Sequence, residues 1–302
     1  MTQIQIIDVA ARDGLQSEPE VMPTSAKREL IGRLVEAGIR KLEVASFVHP
    51  KLVPQMADSD ALVPQLPQRD DVSYIGLALN DRGVDRALAA GVDEIGFVIV
   101  STETYNQKNQ RATVAESIAS YRRLREQTRA AGIACNVTLA AAFGCPYEGE
   151  VHPDQVMRIA DAVLEDAPDE LAIADSIGVG VPKQVHDLLG RLRERSGDIP
   201  LRCHFHNTRN TGIANALAAV DAGVTSLDAS VGGIGGCPFA PAATGNIATE
   251  DLLYALERSG VTTGVSLEAI VAASHWLAEQ LQHEVPALVA RAGGFPEARA
   301  AA

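Results

Sequence analysis

The chain has 302 residues, long for one ordinary domain but within the usual size of α/β barrels. With 46% hydrophobic and 22% charged residues it has the composition of a globular protein able to bury a large core. Its formal net charge of -13, with no basic run to offset it, excludes an extended nucleic-acid surface, because neutralising phosphates takes clustered Lys and Arg.

An anionic substrate therefore needs a local basic patch. Cys135, Cys145, Cys203 and Cys237 form no CxxC pair, so reduced thiols are expected rather than a zinc knuckle or a disulfide framework. The sequence enters an apolar strand almost at once, with no leader-like segment and no run of membrane-spanning length. The expectation is a cytoplasmic protein without a membrane partner.

In chain order the pattern predicts a strand over 4–9, a helix over 24–37 capped by Thr24, and a strand over 39–45. A Pro- and His-containing loop leads to a short helix near 57–65, then a strand over 72–79 and a helix over 81–90. The alternation continues with strands at 92–100, 133–140, 170–174, 199–206 and 224–229, separated by helices at 113–131, 153–166, 182–195 and 211–222. Four of the helix-to-strand joints carry an Ala-Gly pair, Ala37-Gly38, Ala90-Gly91, Ala131-Gly132 and Ala222-Gly223, as suits a helix end feeding a buried parallel strand.

Eight such units predict a closed (β/α)8 TIM barrel. A doubly wound sheet would more often carry a glycine-rich turn after its first strand, where this chain has Ala11-Arg12-Asp13-Gly14-Leu15-Gln16. The barrel should occupy about 1–231 of a single catalytic domain. A glycine- and cysteine-containing loop and helices near 249–259 and 267–282 should pack on it over about 232–295. The apolar face of the last helix suits either its own barrel or a homodimer.

A barrel gathers its functional groups at the C-terminal ends of its strands. The polar residues there are Arg12 and Asp13, Glu43 and Ser46, Asn80, Thr138, Asp175, His204 and His206, and Asp228 and Ser230. His204 and His206 stand two apart on one strand and project from one face, either as metal ligands or as a satisfied structural pair. With Asp13 they supply a carboxylate and two imidazoles, a set suited to a divalent cation such as Mg2+ or Mn2+. Asn246 offers a further carbonyl oxygen, or else a turn or helix N-cap. Gly232-Gly233-Ile234-Gly235-Gly236-Cys237 presents a thiol on a backbone with little side-chain anchorage, able to move or to approach a ligand closely, although such a run also serves as a tight connection.

These stretches resemble the 3-hydroxy-3-methylglutaryl-CoA lyase family, within the pyruvate-carboxyltransferase-like metal-dependent barrels. The resemblance runs nearly end to end, through Arg12-Asp13-Gly14-Leu15-Gln16, Ala45-Ser46-Phe47-Val48, Gly144-Cys145-Pro146-Tyr147-Glu148-Gly149, Asp175-Ser176-Ile177-Gly178, the His-Phe-His strand and Gly245-Asn246-Ile247-Ala248-Thr249-Glu250-Asp251. It implies cation binding by Asp13, His204, His206 and Asn246, charge stabilisation by Arg12, proton transfer by Cys237, and support from Glu43 and Asp175. It also places Asn109 near a CoA thioester substrate, whose anionic part would meet Lys108 and Arg111. The implied reaction cleaves 3-hydroxy-3-methylglutaryl-CoA to acetyl-CoA and acetoacetate.

Three departures touch the substrate. Asn207 follows the second histidine where these lyases have Asp, Thr138 stands where they generally have tyrosine, and Ser17-Glu18-Pro19 lacks their lysine. They admit citramalyl-CoA or a longer-branched 3-hydroxyacyl-CoA as the alternative. An acyl-CoA condensing synthase is a weaker fit, since those enzymes carry an added regulatory region, and a non-catalytic metal-binding barrel is the remaining class.

Overall fold

The computed structural model describes residues 2–236 and 245–296. Its strands are β1 (Gln5–Asp8), β2 (Lys41–Ser46), β3 (Ser73–Leu77), β4 (Glu94–Val100), β5 (Ala134–Ala140), the short β6 (Gly144–Cys145) and β7 (Gly149–Glu150), then β8 (Glu170–Asp175), β9 (Leu201–Phe205) and β10 (Ser226–Ala229). The helices are α1 (Thr24–Glu36), α2 (Ser59–Leu62), α3 (Asp81–Ala90), α4 (Glu103–Gln110), α5 (Val114–Ala131), α6 (Pro153–Leu164), α7 (Pro182–Ser196), α8 (Gly212–Asp221), α9 (Thr249–Arg258), α10 (Leu267–Leu281) and α11 (Val289–Ala292). All strands but β6 and β7 form a closed parallel barrel in the order β1-β10-β9-β8-β5-β4-β3-β2, the TIM-barrel architecture the alternation predicts.

The parallel strands are covered on both faces, and β8 is buried at every position. Ile4 and Ile6 belong to the large core between strands and helices, whereas Ile7, Val9 and Ile75 form a small separate cluster. Alternate residues of one strand thus serve opposite sides of the barrel wall. At the Ala-Gly joints every glycine takes positive φ, and Gly91 (85°) and Gly132 (71°) are left-handed C-caps.

Several local expectations change. Thr24 is the first helical residue and Pro23 the N-cap, so the Thr24 hydroxyl donates to Asp58 Oδ2 at 2.7 Å instead of capping. The helix expected near 57–65 is α2 followed by a 3-10 turn at Val63–Gln65. Helix α4 and the β6–β7 hairpin had no sequence expectation. Glu148 Oε1 accepts from Thr104 N at 2.6 Å, Thr102 Oγ1 donates to Cys145 Sγ at 3.0 Å, and the Tyr105 and Tyr147 rings meet edge to face at 5.5 Å. The Gly144–Glu150 segment is therefore a clamp on α4.

Helix α10 packs on α1, burying Ile270, Ala273, Ser274 and Leu277, with the Arg33 guanidinium over Trp276 at 4.9 Å. Its ends are tied by Ser266 N to Ala37 O at one face of the barrel and, just beyond it, by Ala287 N to Gly232 O at the other. That apolar face packs within the chain, the first of the two uses the sequence offered for it. No helix among the described residues is long and apolar enough to cross a membrane.

Candidate metal centre

The interior of the barrel is polar in two layers. Lys41, Glu94, Glu170 and Ser226 are the first residues of their strands, and they meet at the N-terminal end. Lys41 Nζ lies 2.9 Å from Glu94 and 3.1 Å from Glu170, Arg202 Nη1 is 3.2 Å from Glu170, Asn136 Nδ2 donates to Glu94 at 2.6 Å and Ser226 Oγ to Glu170 at 2.7 Å. Two residues beyond Lys41, Arg202 and Ser226, on the same face of their strands, stand Glu43, His204 and Asp228. The pleat alone lifts them to the next layer.

β1 ends in a turn of π-helical form, Ala10–Gly14, in which the N–H groups of Arg12, Asp13 and Gly14 all approach Val9 O, at 3.2, 2.8 and 3.2 Å. The tight winding puts Arg12 and Asp13 side by side at the barrel mouth. Arg12 Nη1 donates to Asp13 Oδ1 at 2.9 Å and Nη2 to Glu43 Oε2 at 2.6 Å. Glu43 sits where the β2–β3 register shifts, an irregularity of the kind that re-aims a side chain. The glycines are steric requirements here: a Cβ on Gly14 would lie 2.7 Å from Ile234 Cγ1, and one on Gly235 (φ 108°) 2.6 Å from Asn246 Nδ2.

His204 and His206 lie with ring centroids 5.2 Å apart, and one donor atom from each lies with an Asp13 oxygen inside a 4.8 Å span. His204 Nδ1 is 3.1 Å from Asp228 Oδ2, leaving Nε2 for a ligand, an orientation common among metal-binding histidines. Asn246 pairs with His206 in a short bridge and donates from Nδ2 to Asp13 Oδ2 at 2.9 Å and to Ile234 O at 3.1 Å. It caps no helix, since Ala248 holds the N-cap of α9. His206 Nδ1 and Asn246 Oδ1 are buried acceptor-type atoms without a partner, and Arg12 Nε is a buried donor without one. Unpaired polar atoms are costly to bury, so their concentration beside a carboxylate fits a divalent cation and a substrate oxygen.

The electrostatics agree. Burial would raise the Asp13 carboxyl, but the Arg12 guanidinium and the two imidazoles outweigh it and hold Asp13 below its usual range. Burial and the neighbouring His204 push His206 down to about 4, so this ring is neutral at pH 7 with its lone pair available. Burial also works to lower His204, where the Asp228 hydrogen bond and charge prevail and raise it. Glu43 is raised by burial despite Arg12.

The other predicted residues separate. Asp175 is fully buried and accepts from Val179 N at 3.1 Å and Gly180 N at 2.8 Å, which ties it to the turn after β8, and burial raises its pKa. Thr138 accepts from Arg202 Nη2 at 3.3 Å. Asn80 is the N-cap of α3, accepting from Gly83 N at 2.9 Å. Lys108, Asn109 and Arg111 lie exposed on α4 and its C-cap, with Lys108 Nζ over the Tyr147 ring at 5.1 Å. Cys237 lies outside the described residues. The glycines before it are less free than expected, because Val231–Gly233 is a buried 3-10 turn whose Gly232 N–H is held by Glu250 at 3.1 Å. What sequence reasoning missed is the pairing of Asp228 with His204, although the two are direct neighbours across β10 and β9.

Comparison with known proteins follows the same lines. Residues 3–277 match the HMGL-like family. The chain is 43% identical to the (R)-citramalyl-CoA lyase of Chloroflexus aurantiacus, over 97% of this chain and 96% of that protein. It is 37% identical to the mitochondrial hydroxymethylglutaryl-CoA lyase of Bos taurus, over 96% of this chain and 89% of that protein. A solved HMG-CoA lyase from Acinetobacter baumannii, in complex with coenzyme A and 3-methylmalate, superposes with a TM-score of 0.95 at 35% identity, covering 99% of this chain and 98% of that one. The chain belongs to the HMGL-like family of carbon–carbon lyases.

Proposed function

We propose that the protein is a divalent-cation-dependent lyase that breaks the C2–C3 bond of a branched 3-hydroxyacyl-CoA bearing a terminal carboxylate, with citramalyl-CoA as its substrate ahead of 3-hydroxy-3-methylglutaryl-CoA. The observation that carries the chemistry is the convergence of Asp13, His204 and His206 within 4.8 Å, beside Asn246 and Arg12. The order of substrates rests on identity of 43% to a citramalyl-CoA lyase against 37% to a hydroxymethylglutaryl-CoA lyase, together with Thr138 and Asn207 in place of the residues usual in the latter group. The two substrates differ by one methylene between carbinol and carboxylate, so one donor set suits both.

In the reaction the tertiary hydroxyl loses its proton, its oxygen forms the carbonyl of the released keto acid, and the C2–C3 electron pair moves into the thioester enolate. Protonation at C2 then yields acetyl-CoA. Asp13, His204, His206 and Asn246 would hold the cation, which supplies acidification of the hydroxyl and orientation of the carboxylate. Arg12, braced by Glu43 and Asp13 and keeping Nε as a buried donor, stabilises the developing enolate oxygen. Asp175 fixes the turn after β8, and Cys237 is assigned proton transfer through the family resemblance. Lys108, Asn109 and Arg111 are assigned to the CoA thioester on the same ground, on a helix that the Gly144–Glu150 clamp holds in place.

Purified protein with Mn2+ or Mg2+ should release acetyl-CoA and pyruvate from citramalyl-CoA with a higher kcat/KM than acetyl-CoA and acetoacetate from 3-hydroxy-3-methylglutaryl-CoA, measured by mass spectrometry of both products. The reverse ranking would overturn the substrate order. Absence of acetyl-CoA from every thioester tried, with Mn2+ bound, would overturn the lyase reading.

A further inference from the structure

Asp8 is a buried carboxylate that the chemistry above does not use. It closes β1 at 1% exposure and shares the outward side of the strand with Ile6, behind the barrel wall and away from the metal centre. Its oxygens reach in two directions. Oδ1 accepts from Ala10 N at 2.9 Å, at the start of the turn that carries Arg12 and Asp13. Oδ2 accepts from Val231 N at 3.0 Å and from Thr249 Oγ1 at 2.7 Å, groups 223 and 241 residues away in the chain.

Those distant partners flank the Asn246 segment. Backbone bonds already stitch that segment to the end of β9 and to Ser230, through Asn207 N to Gly245 O, Ile247 N to Phe205 O, Ser230 N to Ile247 O and Thr249 N to Ser230 O. They align Asn246 with His206, whereas Asp13 arrives from the other end of the chain. Besides the direct Asn246 Nδ2–Asp13 Oδ2 hydrogen bond, Asp8 holds the Asp13 turn and the Asn246 segment at once from outside the centre. Burial raises its pKa to about 6 against the pull of its three hydrogen bonds, so at pH 7.5 it is a charged triple acceptor.

We propose that Asp8 is a positioning residue for the cation site, setting the distance between Asp13 and the Asn246 segment through one carboxylate shared by Ala10, Val231 and Thr249. The inference rests on the metal reading of the centre but not on any substrate. An asparagine at position 8 keeps the shape and a single acceptor oxygen, so it cannot serve both directions, and Thr249→Val removes one arm only.

The test is Mn2+ affinity of the folded proteins at pH 7.5, by calorimetry or by the electron spin resonance of free Mn2+. Asp8→Asn should weaken Mn2+ binding about 10-fold, as loss of outer support does at other metal sites. Thr249→Val should weaken it roughly 3-fold, with Thr249→Ser restoring the wild-type value because it returns the hydroxyl. In all three, KM for the thioester should stay within about two-fold at saturating Mn2+, since Asp8 touches no substrate. A fall in melting temperature with unchanged Mn2+ affinity in Asp8→Asn and Thr249→Val overturns the proposal and leaves Asp8 a purely structural group. Should Asp8→Asn not fold, unchanged affinity in Thr249→Val overturns it alone. A wild-type protein that binds no Mn2+ overturns the metal reading and the inference with it, whereas lyase activity failing with Mn2+ bound leaves this inference standing.

Discussion

The two polar layers of the barrel interior are built from the same kinds of residue and behave as opposites. At the N-terminal end, Lys41 and Arg202 face Glu94 and Glu170, two cations against two anions, and Asn136 and Ser226 fill remaining acceptor positions. At the mouth, Arg12 pairs with both Asp13 and Glu43, one cation against two carboxylates, and Asp228 meets His204; partnerless atoms gather here on Arg12, His206, Asn246 and Asp228, against one on Arg202 below. A buried excess of negative charge is unfavourable unless something positive joins it, and a closed network has no room for a newcomer. The lower layer is largely satisfied by folding; the upper one keeps donor atoms open, as the proposed cation site requires.

The strongest way to break this comparison is to remove a donor from the upper layer. Asp13→Ala should reduce turnover by at least about 1000-fold and Mn2+ affinity by at least about 100-fold, while the melting temperature of the metal-free protein stays within a few degrees of wild type. The stability should hold because the groups Asp13 leaves behind keep other partners, Arg12 with Glu43 and Asn246 Nδ2 with Ile234 O. Kinetics, Mn2+ titration and thermal unfolding in EDTA would show it. A large loss of metal-free stability would mean that the upper layer, too, is a structural network.

Lys41→Met is the matching change below. It leaves Glu94 and Glu170 facing each other with Arg202 as the remaining cation, a break that costs about 3–5 kcal/mol when one partner of a buried pair is removed. Denaturant unfolding should report that loss, and the Mn2+ affinity of the protein that stays folded should change by less than about three-fold. Equal damage to affinity and stability would show that the two layers act as one.

How much of this contrast could be read from the sequence differs between the layers. The barrel was legible because helix-period and strand segments alternate eight times with glycine at the joints, and those glycines are needed at positive φ. The upper layer was legible through His204 and His206 at strand spacing and the Arg12-Asp13-Gly14 turn, while Asn246 needed the resemblance because an isolated Gly-Asn pair says only turn. The lower layer was not legible. Lys41, Glu94 and Glu170 each open a strand, where a charge ordinarily reads as a solvated edge, and only barrel closure turns them inward together. Helix α4 was missed for a related reason. Glu103–Gln110 has little apolar period of its own, and what holds it is Asn106, whose side chain accepts from Val100 N at 3.0 Å and donates to Ala112 O and Ser117 Oγ at 2.8 Å each, with the Gly144–Glu150 clamp.

Asp228 is where the layers meet, and it allows the finest test. Its Oδ2 orients His204 at 3.1 Å, while Oδ1 stands 3.5 Å from Arg202 Nε in a contact too long for a good hydrogen bond. Asp228→Asn keeps the side-chain shape and an acceptor for His204 but removes the charge that both neighbours feel. Mn2+ affinity at pH 8 should fall about 10-fold, within the range seen when a histidine ligand loses its carboxylate partner. Stability should fall by only about 1–2 kcal/mol, because Glu170 still pairs with Arg202. The affinity loss should shrink at pH 6. There the wild-type His204, whose pKa Asp228 raises above its ordinary value, must shed a proton to bind the cation, whereas in the variant burial works against the charged imidazole without Asp228 to oppose it, so less proton competition remains. Mn2+ titrations at the two pH values with urea unfolding at pH 8 separate the cases. A pH-independent loss would mean that Asp228 acts on His204 by orientation alone, and a stability loss without any change in affinity would place Asp228 in the lower layer.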